Sequence, residues 1–307
     1  MPSFRTGRVT EVLGSRPGFQ RVATDAGRAF VLTQLTGEVA VGDEVVVNTT
    51  AVDLGLGTGG WHVVHWNLAR REWSEPGPGH LMKLRYTSLQ VDAGAAEELH
   101  PDLPADLAGT PVVVGSLHSQ LAPIVVALRH LRPDAKVTYV MTDGAALPMV
   151  LSDLVHDLRS LDLLHGTITA GHAFGGDLEA INVPSALVLA RHVQQADVVV
   201  VAMGPGVVGT GSRLGTTALE TAAILDGVAA LGGRPVAALR MSDGDQRERH
   251  RGISHHSTTA LELVRSSVIV AAPDGIEVPG ASHEVRTADP IDIASLLDAV
   301  GLRVTTM

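Results

Sequence analysis

The chain has 307 residues with a formal net charge of −10, 45% hydrophobic and 3% aromatic residues, and no cysteine. The missing cysteines exclude disulfides, thiolate metal sites and thiol nucleophiles. The acidic balance, with seven Arg and no Lys against eight acids in residues 1–78, leaves no part of the chain with the basic field that nucleic-acid binding uses.

The start, MPSFRTGRVTEVLG, has no apolar signal core, and no segment approaches the roughly 18 apolar residues of a membrane span, so a cytoplasmic location is expected. The length predicts two domains, with cores filled by Val, Leu and Ala. From Gly7 to about Arg70 short strand-like runs succeed one another: Arg8–Leu13, Gln20–Thr24, Ala29–Thr33, Glu44–Thr49 and Trp61–Trp66. Their spacing predicts a small SH3-like or OB-like barrel over residues 1–78. Gly55-Leu-Gly57-Thr-Gly59-Gly60 satisfies G-x-G-x-x-G but leads into a strand, so it reads as a wide turn. His62 and His65 stand three apart on a strand, face opposite ways and are not expected to share an ion. The Pro/Gly-rich stretch Arg71–Gly79 marks the domain boundary, and residues 79–109 read as a connector.

From Pro111 strands and helices alternate, which predicts a doubly wound, mostly parallel, Rossmann-like sheet over residues 110–275. About six strands are expected, with helices over Gln120–Leu131, Leu147–Leu161, Ala180–Gln194 and Thr259–Val264. The last of these is set by a Thr259/Glu262 capping box. Residues 276–307 predict a short helix begun by Asp289-Pro290, and LRVTTM as an edge strand. The most distinctive unit is Asp197–Gly233: an apolar strand, the loop Gly204-Pro-Gly206-Val-Val-Gly209-Thr-Gly211-Ser212-Arg213, and an apolar-periodic stretch from Leu214 to Leu231. This order can hold an anion at a helix N-terminus. It is not the dinucleotide fingerprint: the unit sits on about the fourth strand, and the expected acid, Asp243, lies 34 residues beyond Gly209 where roughly 20 is usual. It is not a Walker loop either, because Ser212-Arg213 stands in place of Lys-Ser/Thr.

Ligands of open α/β sheets bind beyond the carboxyl ends of the strands. The polar residues expected there are His118, Asp143, His172 and Asp243 as proton-transfer and orienting groups, with Gly204, Gly206, Gly209, Gly211, Ser212 and Arg213 as the anion loop. Asp177, in Gly171-His-Ala-Phe-Gly-Gly-Asp177, reads equally as a helix cap or a ligand contact. Ser242–His256 reads either as a lid carrying Arg251, His255 and His256 or as a solvated loop. A metal held by His118, His172, Asp143 or this loop would have no signature spacing, and none is assigned; no cofactor is named.

Gly79–Tyr86, Gly171–Glu179, Gly204–Gly211 and Arg247–His256 together resemble a bacterial family, mainly actinobacterial, known only as a domain of unknown function. The resemblance covers nearly the whole chain and implies no activity and no catalytic residue. The reading is therefore an enzyme acting on a small anionic, phosphorylated or nucleotide-like molecule. The alternative is a non-catalytic metabolite sensor or assembly module whose barrel contacts a protein partner or, as the lesser option, RNA. A homo-oligomer is compatible with either; a membrane and nucleic acid are not expected partners.

Overall fold

The computed structural model describes the chain apart from residues 80, 146, 281, 282, 288, 289 and 304–307, and it divides into two compact units, Met1–Asp92 and Ala93–Met307.

In the first unit five strands, β1 (Phe4–Arg16), β2 (Phe19–Thr24), β3 (Gly27–Leu32), β4 (Glu44–Asn48) and β5 (His62–Asn67), close into a barrel in the order β1-β2-β3-β5-β4. Closure comes from β4 pairing antiparallel with β1, Phe4 opposite Asn48, while β3 and β5 run parallel. All five strands expected from the sequence are present. Alternate residues point inward, and Val9, Val22, Val31, Val45, Val47 and Val64 fill the interior. Small β-branched side chains suit so narrow a barrel, so few aromatics are needed. His62 Nε2 donates to Ala26 O (3.1 Å), whereas His65 packs edge-on against Phe4, so the two histidines do face apart. One-turn helices α1 (Thr33–Thr36) and α2 (Thr50–Asp53) and a ribbon of β6 (Met82–Lys83) with β7 (Val91–Asp92) complete the unit.

The second unit runs β8 (Pro111–Gly115), α3 (Leu121–Leu131), β9 (Val137–Thr142), α4 (Asp153–Ser160), β10 (Gly166–Ala170), β11 (Leu178–Ala180), α5 (Val183–His192), β12 (Val198–Met203), α6 (Glu220–Ala230), β13 (Arg234–Ala238), β14 (Met241–Ser242), β15 (Gly252–Ile253), α7 (His255–Leu263), β16 (Ile269–Ala271), β17 (Glu284–Arg286) and α8 (Ile293–Ala299). Eight strands form one sheet in the order β11-β10-β9-β12-β8-β13-β16-β17, every pairing parallel. The β14–β15 pair is a separate antiparallel ribbon. Helices cover both faces: α5, α6 and α7 pack on one, α3, α4 and α8 on the other. Strand β12 shows why its run is apolar throughout, since Val199 and Val201 enter the first core and Val200 and Ala202 the second.

Three expectations change. Ala180, expected to open a helix, instead ends the extra strand β11, and α5 starts later, where Asn182 caps it by accepting from Ser185 N at 2.9 Å. Asp177 is not a cap; its carboxylate accepts from Thr167 N (2.8 Å) and pairs with Arg159 (3.0 Å). Helix α7 begins at His255 behind the Ser254 cap, so Thr259 and Glu262 lie inside it and form no capping box. Asp292 caps α8; Asp289 and the end of LRVTTM lie outside the described residues. No helix among the described residues is long and apolar enough to cross a membrane.

Candidate functional site

The sheet changes winding direction between β8 and β12. From β8 the chain passes through α3 to β9, and from β12 through α6 to β13 on the other side. The connecting helices lie on opposite faces, the arrangement in which open α/β sheets take ligands at the carboxyl ends of such strands.

His118, just past β8, reaches into this region. Its Nδ1 lies 3.2 Å from Met203 O and its Nε2 2.7 Å from Ser152 Oγ. A carbonyl only accepts, so the proton sits on Nδ1 and Nε2 accepts from the Ser152 hydroxyl. Ser152 Oγ in turn caps α4 by accepting from Val155 N at 3.0 Å. The Tyr139 hydroxyl donates to the carbonyls at Ala202 and Met203, both at 3.1 Å. Burial pushes the imidazole down to about 4, and the Met203 carbonyl opposes this only weakly. His118 is thus a half-buried, neutral ring with both nitrogens engaged.

Beside it, where β9 ends, two carboxyl groups come together. Glu220, the first residue of α6, accepts from Thr142 Oγ1 at 2.5 Å. Burial, together with the neighbouring Asp143 carboxylate and against the Thr142 hydroxyl, raises Glu220 to about 7. Asp143 is exposed at the rim and accepts from His172 N at 3.0 Å. Two glycines make room for the pair. A Cβ on Gly171, whose φ is +67°, would stand 2.5 Å from the Asp143 carboxylate, and one on Gly144 would stand 2.7 Å from that of Glu220. Asp143, His172 and Glu220 therefore share one edge, whereas His118 lies deeper, tied to Ser152.

The glycine loop takes a different course from the one expected. Residues 204–216 fold back on themselves, with a bridge between Gly209 and Thr216 and a bond from Thr210 N to Gly215 O of 2.7 Å. A 3-10 turn over Thr217–Leu219 then precedes α6, so that helix starts later than Leu214 and its first turn meets Glu220 rather than the loop. Gly204 is buried, while Gly206, Gly209 and Gly211 are exposed, Gly206 with φ +106°. The Ser212 hydroxyl bonds Thr210 Oγ1 (2.8 Å), and Arg213 is paired with Glu262 of α7.

Beyond β13 the polar loop is ordered around Asp245, not Asp243, which is exposed. Asp245 pairs with Arg240 (2.9 Å) and Arg247 (3.0 Å), its carbonyl accepts from Arg251 Nε (3.0 Å), and the hydrogen bonds from Arg247 hold its carboxyl well below the usual range. The loop thereby brings His250, His255 and His256 into contact, ring centroids 4.2 to 5.1 Å apart. Burial holds both His250 and His256 at about 4, helped at His250 by nearby arginines and then the His255 ring, and at His256 by the other two rings and then the arginines.

The family described as Protein of unknown function (DUF3866) matches residues 28–307, from within the barrel to the C-terminus. The chain belongs to this family. No curated protein matches it. Membership in DUF3866 attaches no role to any residue, so the site of this DUF3866 chain rests on its own geometry. Sequence reasoning placed Asp143 and His172 at this edge but missed Glu220, which the expected helix from Leu214 put a turn and a half inside. Its signal was a lone acid in the otherwise apolar and hydroxylic run Leu214–Leu225.

Proposed function

We propose that the chain is an enzyme acting on a small anionic metabolite, phosphorylated or nucleotide-like, held at the carboxyl ends of the parallel strands. The observation that carries this reading is Glu220: a carboxyl raised to about 7 beside Asp143, at the edge where the sheet changes direction. A carboxyl at that midpoint gives up and recovers a proton at neutral pH, and pairs of acids kept apart in protonation are a common general acid–base device. In this reading Glu220 moves the proton, and Asp143 orients the substrate together with His172. The exposed glycines of the 204–211 loop let its backbone approach the anionic group closely.

The test is a thermal-shift screen of the full chain against inorganic phosphate, nucleotides and sugar phosphates, with each stabilising compound then assayed for turnover. The expected result is a compound that Glu220→Gln still binds but no longer turns over. Failure of every anion to stabilise the chain, or wild-type turnover by Glu220→Gln, would overturn the proposal.

A second reading, a ligand sensor whose barrel contacts a partner protein, is favoured by one feature of the first unit. Trp61 stacks on Phe30 at 4.9 Å and Arg28 lies over the Trp61 ring at 4.6 Å, an aromatic and cationic cluster on the barrel. A bound anion with no turnover of any candidate would select it.

A further inference from the structure

We infer that His250, His255 and His256 form a binding site for a divalent first-row transition ion of the zinc class. Each ring offers one nitrogen, and these three atoms lie within 4.8 Å of one another. Two ligands on one zinc ion stand at most about 4 Å apart, given metal–nitrogen distances of roughly 2.0–2.1 Å, so small ring rotations complete the set.

The second observation is one of unmet polarity. His256 is 9% exposed and His250 3%. His255 Nε2 and His256 Nδ1 are both buried without a hydrogen-bond partner among the described residues. Buried imidazole nitrogens are normally satisfied, because an unpaired one forfeits its hydration for nothing. Two orphaned nitrogens meeting at a third ring are explained by an ion they would share.

His250 already has the outer support that metal-ligating histidines use, since its Nδ1 lies 2.8 Å from Ser254 Oγ, which fixes the ring and leaves Nε2 for the ion. The backbone explains how the rings converge. His255 and His256 open α7 behind the Ser254 cap, and the loop pinned by Asp245 delivers His250 to the same place. Asp245 also offsets Arg240 and Arg247, two of the three arginines whose charge reaches the rings; Arg249 is the third, and it acts on His255 and His256. Three imidazoles and no carboxylate favour zinc, cobalt, nickel or copper over magnesium or calcium. Three protein ligands also leave a position for water or an anion, as in catalytic zinc sites. This site shares no residue with the Asp143–Glu220 pair, so it stands or falls apart from the acid–base reading.

The experiment uses the full-length chain stripped with a chelator, titrated with Zn²⁺ by calorimetry and with Co²⁺ by visible absorption. One ion per chain is expected, together with the intense visible bands of four-coordinate cobalt and a zinc-dependent rise in melting temperature. Ser254→Ala should weaken zinc binding by roughly 10–100-fold, as loss of an outer hydrogen-bond partner does. His255→Ala should weaken it by more, and the exposed control His130→Ala should not change it. X-ray absorption of the zinc-loaded wild type, which needs no variant to fold, should count three imidazoles. Fewer imidazoles, unchanged affinity in His255→Ala, or stabilisation by inorganic phosphate with none by Zn²⁺ would overturn the assignment.

Discussion

Replacing Glu220 by Gln should make the protein more stable, by an amount that is absent below about pH 4.5, grows as pH rises and is complete above about pH 7. A carboxyl raised from its ordinary 4.5 to about 7 holds its proton more tightly in the folded chain than in the unfolded one. Below 4.5 both states are protonated and nothing is lost; above 7 both are ionised and the whole cost of the buried charge is present. The full shift corresponds to about 3 kcal/mol, and because Glu220 is only partly buried we expect about 1–2 kcal/mol of it to be felt. Gln has no charge to bury and its carbonyl can still accept from the Thr142 hydroxyl, while its amide faces Asp143 favourably. At pH 8 the variant should therefore melt about 3–6 °C above wild type for a unit of this size. At pH 4.5 the two curves should coincide. Thermal unfolding followed by circular dichroism at both pH values decides the matter, since the shared titrations of other groups cancel in the difference. An offset independent of pH, or a wild type more stable at pH 8, would refute the placement of Glu220. Stabilisation accompanied by lost turnover is the pattern expected where a residue is kept against its own preference for the sake of function.

Further outcomes follow from the same geometry. His118, His250 and His256 sit near 4 against an ordinary 6.5, so the unfolded chain takes up protons that the folded chain refuses as pH falls through this window. Glu220 acts in the opposite direction, and chelator-treated protein should take up roughly two protons on unfolding near pH 5.3, seen as a urea midpoint steady above pH 7 that drops between 6.5 and 4. Ser152→Ala removes both the α4 cap and the donor to half-buried His118 Nε2, and should cost about 1–3 kcal/mol in urea unfolding, a loss under about 0.5 kcal/mol arguing against that chain of bonds. Gly171→Ala combines a left-handed backbone with a Cβ driven into the Asp143 carboxylate; a melting temperature lowered by several degrees is expected, and an unchanged one would contradict the close approach.

Much of the architecture was legible because its signals are local. The barrel strands alternate and are punctuated by Gly and Asp turns, and the sheet strands are short β-branched runs such as VVVVAM. What failed was local too, but ambiguous. Ala180 is as acceptable at the start of a helix as in a strand, and only the pairing of β11 with β10 decides. Ser254 and Thr259 both precede an acceptable first turn, and the tertiary position of the histidines selects the earlier one. The Gly204 loop carries the residues of an anion cradle, but whether it wraps a helix end or closes on itself depends on Thr210 meeting Gly215. The site was legible only as a list of rim positions, since Asp143 lies 77 residues from Glu220 in sequence. That two such distant acids become neighbours, and that the loop residue His250 meets the two histidines opening α7, are facts of packing.

The two ends of the large sheet have a consequence for how the chain meets copies of itself. Strands β11 and β17 are each three residues long, and β17 is fully exposed with Glu284 and Arg286 paired along it at 2.6 Å. So short and charged a margin gives an incoming strand little backbone to zip onto and charges to desolvate on the way. An assembly of this protein is therefore not expected to grow by continuing the sheet from one molecule into the next, and would have to use helical or barrel surfaces instead.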